Sequence, residues 1–276
     1  MKTSYYRIII LVGILSLSAC TSLPVAIGSA AVSAISNSVQ ASADKAGRDK
    51  ALAQTYVNLG VEYMQQGQRE LALSKLQHAL ELDPNSASAH NAIAILYAQL
   101  GQTDLAGQHY QQAVSLDPQD SGAHNNYGQF LCSHNELAKA DEQFLLALKN
   151  PLYETPAFAY ENAGLCALRV PDVAKAEQYF RSALQSNPKA ATSLYQMALI
   201  QFNKQDYLSA RAYLQRYSSS SKPNAQGLWL GIRVEQVLGD KNAESSYALA
   251  LRSNFPDSEE AHRLAESQTQ GSQPHN

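Results

Sequence analysis

Tyr56-Val-Asn-Leu-Gly-Val-Glu-Tyr-Met-Gln-Gln-Gly-Gln-Arg-Glu-Leu-Ala-Leu-Ser-Lys-Leu-Gln-His-Ala-Leu-Glu-Leu-Asp-Pro84 returns, altered but recognisable, 34 residues further along the chain. Tyr56, Leu59, Gly60, Tyr63, Gly67, Ala72, Leu76, Ala79 and Pro84 become His90, Ile93, Ala94, Tyr97, Gly101, Ala106, Tyr110, Ala113 and Pro118. Apolar residues three and four apart on either side of a glycine predict two helices joined by a turn. Pro84 and Pro118 end the second helix of each copy, because proline cannot continue the ladder of backbone bonds. Asp83-Pro84-Asn85-Ser86 and Asp117-Pro118-Gln119-Asp120 supply turn and N-cap side chains for the helix that follows.

The repeated unit fixes residue size by position. Counting from residue 53, position 8 is small (Gly60, Ala94, Gly128, Gly164, Ala198), and so is position 20 (Ala72, Ala106, Ala140, Ala176, Ala210). Small residues there let the two helices of one unit approach closely. Ala79, Ala113, Ala147 and Ala183 at position 27 do the same for the next unit, and larger residues at 4, 7, 11 and 24 fill the remaining space. This pattern at this period is the tetratricopeptide (TPR) signature. One unit cannot bury its own apolar face, so the expected fold is all-α: a TPR solenoid of about six helix-turn-helix units with a C-terminal capping helix.

Later copies are less regular. The unit from Ser121 keeps His124, Tyr127, Gly128, Leu131, Ala140, Phe144 and Ala147, but Gly164 lies 36 residues after Gly128, so about two residues are inserted near 150–156. The fourth unit has Tyr160, Gly164, Ala176, Phe180, Ala183 and Pro188; the fifth has Leu194, Ala198, Ala210 and Leu214 before the serine run 218–221. The sixth is poor around Trp229-Leu230-Gly231 but keeps Gly239, Ala248 and Pro256. The repeats are expected near 53–86, 87–120, 121–156, 157–190, 191–224 and 225–256, within a solenoid of 51–266. A cap at 257–266 opens on an Asx-type capping box at Asp257-Ser-Glu-Glu260, and 267–276 reads as a disordered tail.

The chain begins with Lys2 and Arg7, then an apolar run over residues 8–17, then Leu17-Ser18-Ala19-Cys20. The run has the length of a signal-peptide core and is too short to span a bilayer as a final anchor. The last four residues resemble a bacterial lipobox, which implies a signal peptide at 1–19 and diacylation of Cys20. The residue after the cysteine is Thr21 rather than Asp, and the resemblance then implies sorting to the outer membrane. Several acyl chains anchor stably where one does not. Residues 20–50, rich in Ser and Ala, read as a tether; 25–39 carries enough apolar residues for a short helix, and 43–53 leads into the first repeat.

Against 24 acidic residues stand 21 Lys and Arg, a net charge of −3. There is no basic surplus for nucleic acid or anionic lipid. Of three cysteines, two remain after Cys20: Cys132 at position 12 of the third unit and Cys166 at position 10 of the fourth. They lie late in neighbouring first helices, at heights differing by roughly 3 Å. A disulfide between Cys132 and Cys166 is expected, stapling the irregular junction; the alternative is two buried free thiols.

No metal-binding cysteine or histidine motif, phosphate loop or nucleophile elbow occurs, so neither a metal nor a cofactor is expected and the reading points away from an enzyme. His90 and His124 occupy a packing position, while His78, His109 and His134 share no ligand spacing. The candidate surface is the inner curve of the solenoid, formed by positions 2, 5, 9 and 12 of each first helix. Val57, Val61, Met64, Asn91, Ile95, Asn125, Gln129, Phe158, Glu161 and Leu165 are its expected partner-binding residues. The mix is mostly apolar and has no Lys/Arg clamp for a terminal carboxylate. It suits an amphipathic helix or extended peptide, with Asn91 and Asn125 bonding backbone groups. Asn58, Asn126 and Asn162 are expected to brace helices instead.

A lipobox, a tether and about six TPR units are similar to the type IV pilus biogenesis lipoproteins PilF and PilW, the pilotin family. The resemblance rests most on Asn125-Asn126-Tyr127-Gly128-Gln129-Phe130-Leu131-Cys132, Tyr160-Glu161-Asn162-Ala163-Gly164-Leu165-Cys166, Leu228-Trp229-Leu230-Gly231-Ile232-Arg233 and Phe255-Pro256-Asp257-Ser258. It implies a lipid-anchored protein on the periplasmic face of a Gram-negative outer membrane. The implied partner is the pilus secretin, whose outer-membrane localisation and multimer assembly it would promote, or else it would stabilise assembled pili. No nucleic acid or small-molecule substrate is expected. The alternative is a TPR adaptor lipoprotein serving peptidoglycan hydrolases or outer-membrane protein assembly; a remoter one is a catalytic lipoprotein that uses its repeats only for docking.

Overall fold

The computed structural model describes residues 26–170 and 172–271, with side chains from 33 to 267. All elements among the described residues are helical. They are α1 (Ala26–Gln65), α2 (Arg69–Leu82), α3 (Ala87–Gln99), α4 (Thr103–Leu116), α5 (Ser121–Ser133), α6 (Leu137–Leu148), α7 (Pro156–Ala167), α8 (Val173–Ser186), α9 (Ala191–Asn203), α10 (Tyr207–Ser220), α11 (Ala225–Leu238), α12 (Lys241–Asn254) and α13 (Glu259–Gly271). No helix of the described residues is long and apolar enough to cross a membrane. The chain divides into two units, 1–49 and 50–276.

In the first unit, residues 26–49 are helical, and side chains 33–48 are exposed. The expected short helix at 25–39 and the lead-in at 43–53 are here parts of one helix, α1. Alanine is the best helix former, and none of residues 26–49 is Pro. The expected signal peptide and Cys20 lie outside the described residues.

In the second unit, α3–α4, α5–α6, α7–α8, α9–α10 and α11–α12 pack as pairs, and each second helix from α2 to α10 packs on the first helix of the next unit. The decisive contact runs between residues 16 apart. A Cβ added to Gly60 would meet Leu76 at 2.6 Å, one on Gly128 would meet Phe144 at 2.8 Å, and one on Gly164 would meet Phe180 at 2.7 Å. The same spacing relates Gly231 to Tyr247, at 2.8 Å, so the sixth unit keeps the contact although its register runs one residue early. Leu76, Phe144 and Phe180 are fully buried, and each lies where its small partner leaves room.

The turn inside five of the units also repeats. Gly67, Gly101, Asn135, Gln205 and Gly239 have φ of 75°, 72°, 65°, 63° and 77°. At the first of these the N–H of Gln68 donates to the carbonyl of Tyr63, closing the helix end. Between units, Asp83, Asp117 and Asn187 accept from the backbone N–H two residues on, and Ser86 and Asp120 cap α3 and α5. The inserted residues form an irregular link from Lys149 to Thr155, between α6 and α7.

Two terminal expectations change. The cap of α13 is Ser258, whose hydroxyl accepts from the N–H of Ala261, rather than Asp257. The helix continues to Gly271, so 267–271 is not a disordered tail; 272–276 lies outside the described residues.

From the third unit onward, polar links join successive units. The Cys132 and Cys166 sulfurs are bonded, with their Cα atoms 5.9 Å apart, and Arg169 donates to the Cys132 carbonyl. Asp141 accepts from Lys175 Nζ and from the Tyr179 hydroxyl, each at 2.7 Å. Glu177 accepts from Arg181 at 2.6 Å, from Gln201 at 3.1 Å and from Lys204. Burial pushes the Glu177 carboxyl up, but these donors outweigh it and hold the group below the ordinary glutamate value. Arg211 pairs with the buried Glu235.

Candidate functional site: the inner face

The expected inner-face residues divide into four sets. Phe158 is 60 % exposed and Leu165 is 39 % exposed, both on α7. Seven residues apart, they lie on one face of the helix, two turns from each other. Val61, Met64 and Ile95 are half-buried, resting on the core with their outer surfaces in solvent. Leu199 extends the same row on α9.

Two residues do not line an accessible groove, and for these the expectation is corrected. Val57 is 4 % exposed because it packs in the cluster of Ala53, Leu76 and Ala79. Glu161 is 8 % exposed, and its Oε1 accepts from both the N–H and the hydroxyl of Ser193, at 2.9 and 3.0 Å. A buried carboxylate needs such donors, and here they tie α7 to α9.

The polar residues form a ladder across units. Asn126 Nδ2 donates to Asn91 Oδ1 at 3.3 Å, Asn162 Nδ2 donates to Asn125 Oδ1 at 3.0 Å, and Gln129 Nε2 donates to Asn162 Oδ1 at 3.3 Å. In the first unit Gln54 donates to Asn58 and accepts from Ser88. The carbonyls of Asn91 and Asn125 are therefore engaged within the protein. Their amide Nδ2 groups have no partner among the described residues and remain available as donors.

No group of three or more potential ligands that could hold a metal occurs among the described residues. One histidine pair escaped sequence reasoning. His90 Nδ1 and His109 Nδ1 are 2.9 Å apart, and His90 Nε2 lies 3.2 Å from the Pro84 carbonyl. That carbonyl fixes the hydrogen on His90 Nε2, so His109 Nδ1–H donates to His90 Nδ1. Burial, and then His90, hold His109 below the ordinary histidine value. The next unit has the same geometry with a neutral partner, His124 on Gln143 at 2.7 Å. The signal for the pair was the shared spacing of 19 residues. What this face offers chemically is apolar area around α7 beside fixed amide donors, a surface for holding a protein segment.

Comparison with known proteins places this architecture. Family models for the TPR repeat match residues 60–101, and models for the tetratricopeptide repeat match 87–120, 109–142 and 162–225. The type IV pilus assembly protein PilF of Pseudomonas aeruginosa is 32% identical over 212 residues, covering 77% of this chain and 84% of that protein. A solved structure of Pseudomonas aeruginosa PilF superposes with a TM-score of 0.74, covering 79% of this chain and 99% of its own, at 32% identity. The crystal structure of PilW, described as a widely conserved type IV pilus biogenesis factor, gives a TM-score of 0.69 at 30% identity, covering 77% of this chain and 98% of its own. On the identity and coverage of these relatives, together with the repeats that carry the fold, this chain belongs to the PilF family of tetratricopeptide-repeat proteins of type IV pilus biogenesis.

Proposed function

We propose that this protein is an outer-membrane lipoprotein scaffold that binds the pilus secretin through its inner face and promotes the secretin's localisation and multimer assembly. The observation that carries the reading is Phe158 and Leu165, both exposed on one face of α7, two turns apart, beside the amide ladder. Leaving such residues in water costs stability, and a protein ligand recovers that cost by covering them. The free amide donors of Asn91 and Asn125 suit main-chain carbonyls of the bound segment. Acylation of Cys20 would hold the scaffold at the membrane where the ring assembles.

The experiment is complementation of a deletion strain. Wild-type protein restores surface pili and heat-resistant secretin multimers, whereas Phe158→Ala with Leu165→Ala, expressed to the same level, restores neither. Full restoration by the double variant would remove the inner face from the mechanism. A cell-shape or envelope-permeability defect with normal pili would instead favour a role with peptidoglycan hydrolases or outer-membrane protein assembly. Cys20→Ala protein that still floats with outer membrane would overturn the anchor.

A further inference from the structure

The junction of the third and fourth units carries smaller side chains than the preceding junction, where a hollow of about 230 Å³ remains beside Tyr127, Phe130 and Leu131. Between α4 and α6, the first helix α5 presents Tyr127, Phe130 and Leu131. The Phe130 ring packs, tilted, against Tyr110 at 5.1 Å and His134 at 4.3 Å between ring centroids, and lies 3.6 Å from a Cβ built on Gly107. Between α6 and α8, the same three positions of α7 are Ala163, Cys166 and Ala167. With small residues in place of Tyr, Phe and Leu, the equivalent hollow here is wider and less aromatic, a cleft of about 330 Å³. Ala138 and Asp141 continue it into a second hollow of about 570 Å³ along α6, walled by Leu145, Leu146 and Tyr160. The positions lie on roughly the opposite side of α7 from Phe158 and Leu165, at 100° per residue. This is a different surface from the inner face.

The geometry points to a second docking site here, for an amphipathic helix of a partner protein. That helix inserts a large apolar side chain where Phe130 sits in the preceding junction and carries a basic residue beside it. The trough follows α6 from Leu137 to Leu148, a length that matches a helix of about eleven residues. Leu145 and Leu146 are exposed along it. The rim sets the charge. Lys175 is spent on Asp141, and Asp172 caps the N–H of Lys175. Glu142 is exposed with no partner among the described residues, so Glu142 and Asp172 stand against the single ammonium of Lys149. A Lys or Arg on the incoming helix answers that surplus; anionic lipid and nucleic acid do not.

The test places benzoylphenylalanine at Leu146 of the full-length protein in its own cells, with irradiation and identification of the linked peptide by mass spectrometry. The expected adduct is with another protein, through a segment carrying apolar residues at helical spacing and a Lys or Arg. Ala167→Leu, which copies Leu131 of the preceding unit, fills the cleft and lowers adduct yield at least tenfold. Glu142→Lys lowers it as well without altering the cleft. Phe158→Ala leaves it unchanged, which separates this site from the inner face. An adduct with a second copy of this chain, an adduct with lipid alone, no adduct, or a yield unaffected by both variants with melting temperatures intact would each overturn the proposal.

Discussion

Replacing Cys132 and Cys166 together with alanine removes the covalent link between the third and fourth units. The bond closes a loop of 34 residues. The chain-entropy relation gives about 12.6 cal/mol/K for a loop of that length, or about 3.8 kcal/mol at 25 °C. That is an upper figure, because residual structure in the reduced, unfolded chain lessens the entropy that the bond removes. Unfolding of a repeat array spreads from its weakest junction. The junction with the irregular 149–155 link is then the one exposed by the substitution. At about 2–4 °C per kcal/mol for a domain of this size, the melting temperature falls by up to about 8–15 °C. The assay is circular dichroism at several wavelengths against temperature, on protein purified from an oxidising compartment, with and without reductant. Wild type in reductant should melt like the double variant. Two free thiols in freshly exported wild type, or a shift under about 2 °C with the bond intact beforehand, would refute the reasoning.

Further outcomes follow from individual contacts. Gly164→Ala sets a Cβ 2.7 Å from the ring of Phe180, which is fully buried and has no room to swing, so it should destabilise by about 1–3 kcal/mol in chemical denaturation. Gln205→Gly relieves a positive φ of 63° at a turn where glycine stands in other units, and should raise stability by about 1 kcal/mol. His109 is held below its ordinary value of 6.5, so the unfolded chain takes up its proton first as pH falls through 6.5, and stability drops on the acid side. His109→Gln, which copies Gln143 of the next unit, should remove that part of the acid loss; identical stability-versus-pH curves for variant and wild type would contradict the pairing.

Contacts that depend on size at fixed spacing were legible in the sequence. Gly60 to Leu76, Gly128 to Phe144 and Gly164 to Phe180 could be read because a small residue faces a large one 16 positions on. Gly231 to Tyr247 was obscured because Ala198 and Gly231 are 33 residues apart, one short of the period, after the serine run. On the inner face, position in the repeat placed Phe158 and Leu165 but overstated Val57 and Glu161. Their burial is decided by neighbours, the Leu76 cluster for one and Ser193 of the following unit for the other. The outer cleft had a signal, Ala163, Cys166 and Ala167 in place of Tyr127, Phe130 and Leu131, but missing volume draws less notice than a motif. A short helix at 25–39 was legible, but its continuity into α1 was not, since Ser and Ala serve a linker and a helix alike.

The most direct measurement of the central claim is the affinity of the detergent-solubilised full-length protein for the purified periplasmic part of the pilus secretin, by isothermal titration calorimetry. Truncating Phe158 and Leu165 to alanine removes two exposed apolar anchors, and about 2 kcal/mol of lost binding weakens the complex about thirtyfold. An affinity unchanged by the double variant, with its helical content and melting temperature intact, would contradict the account.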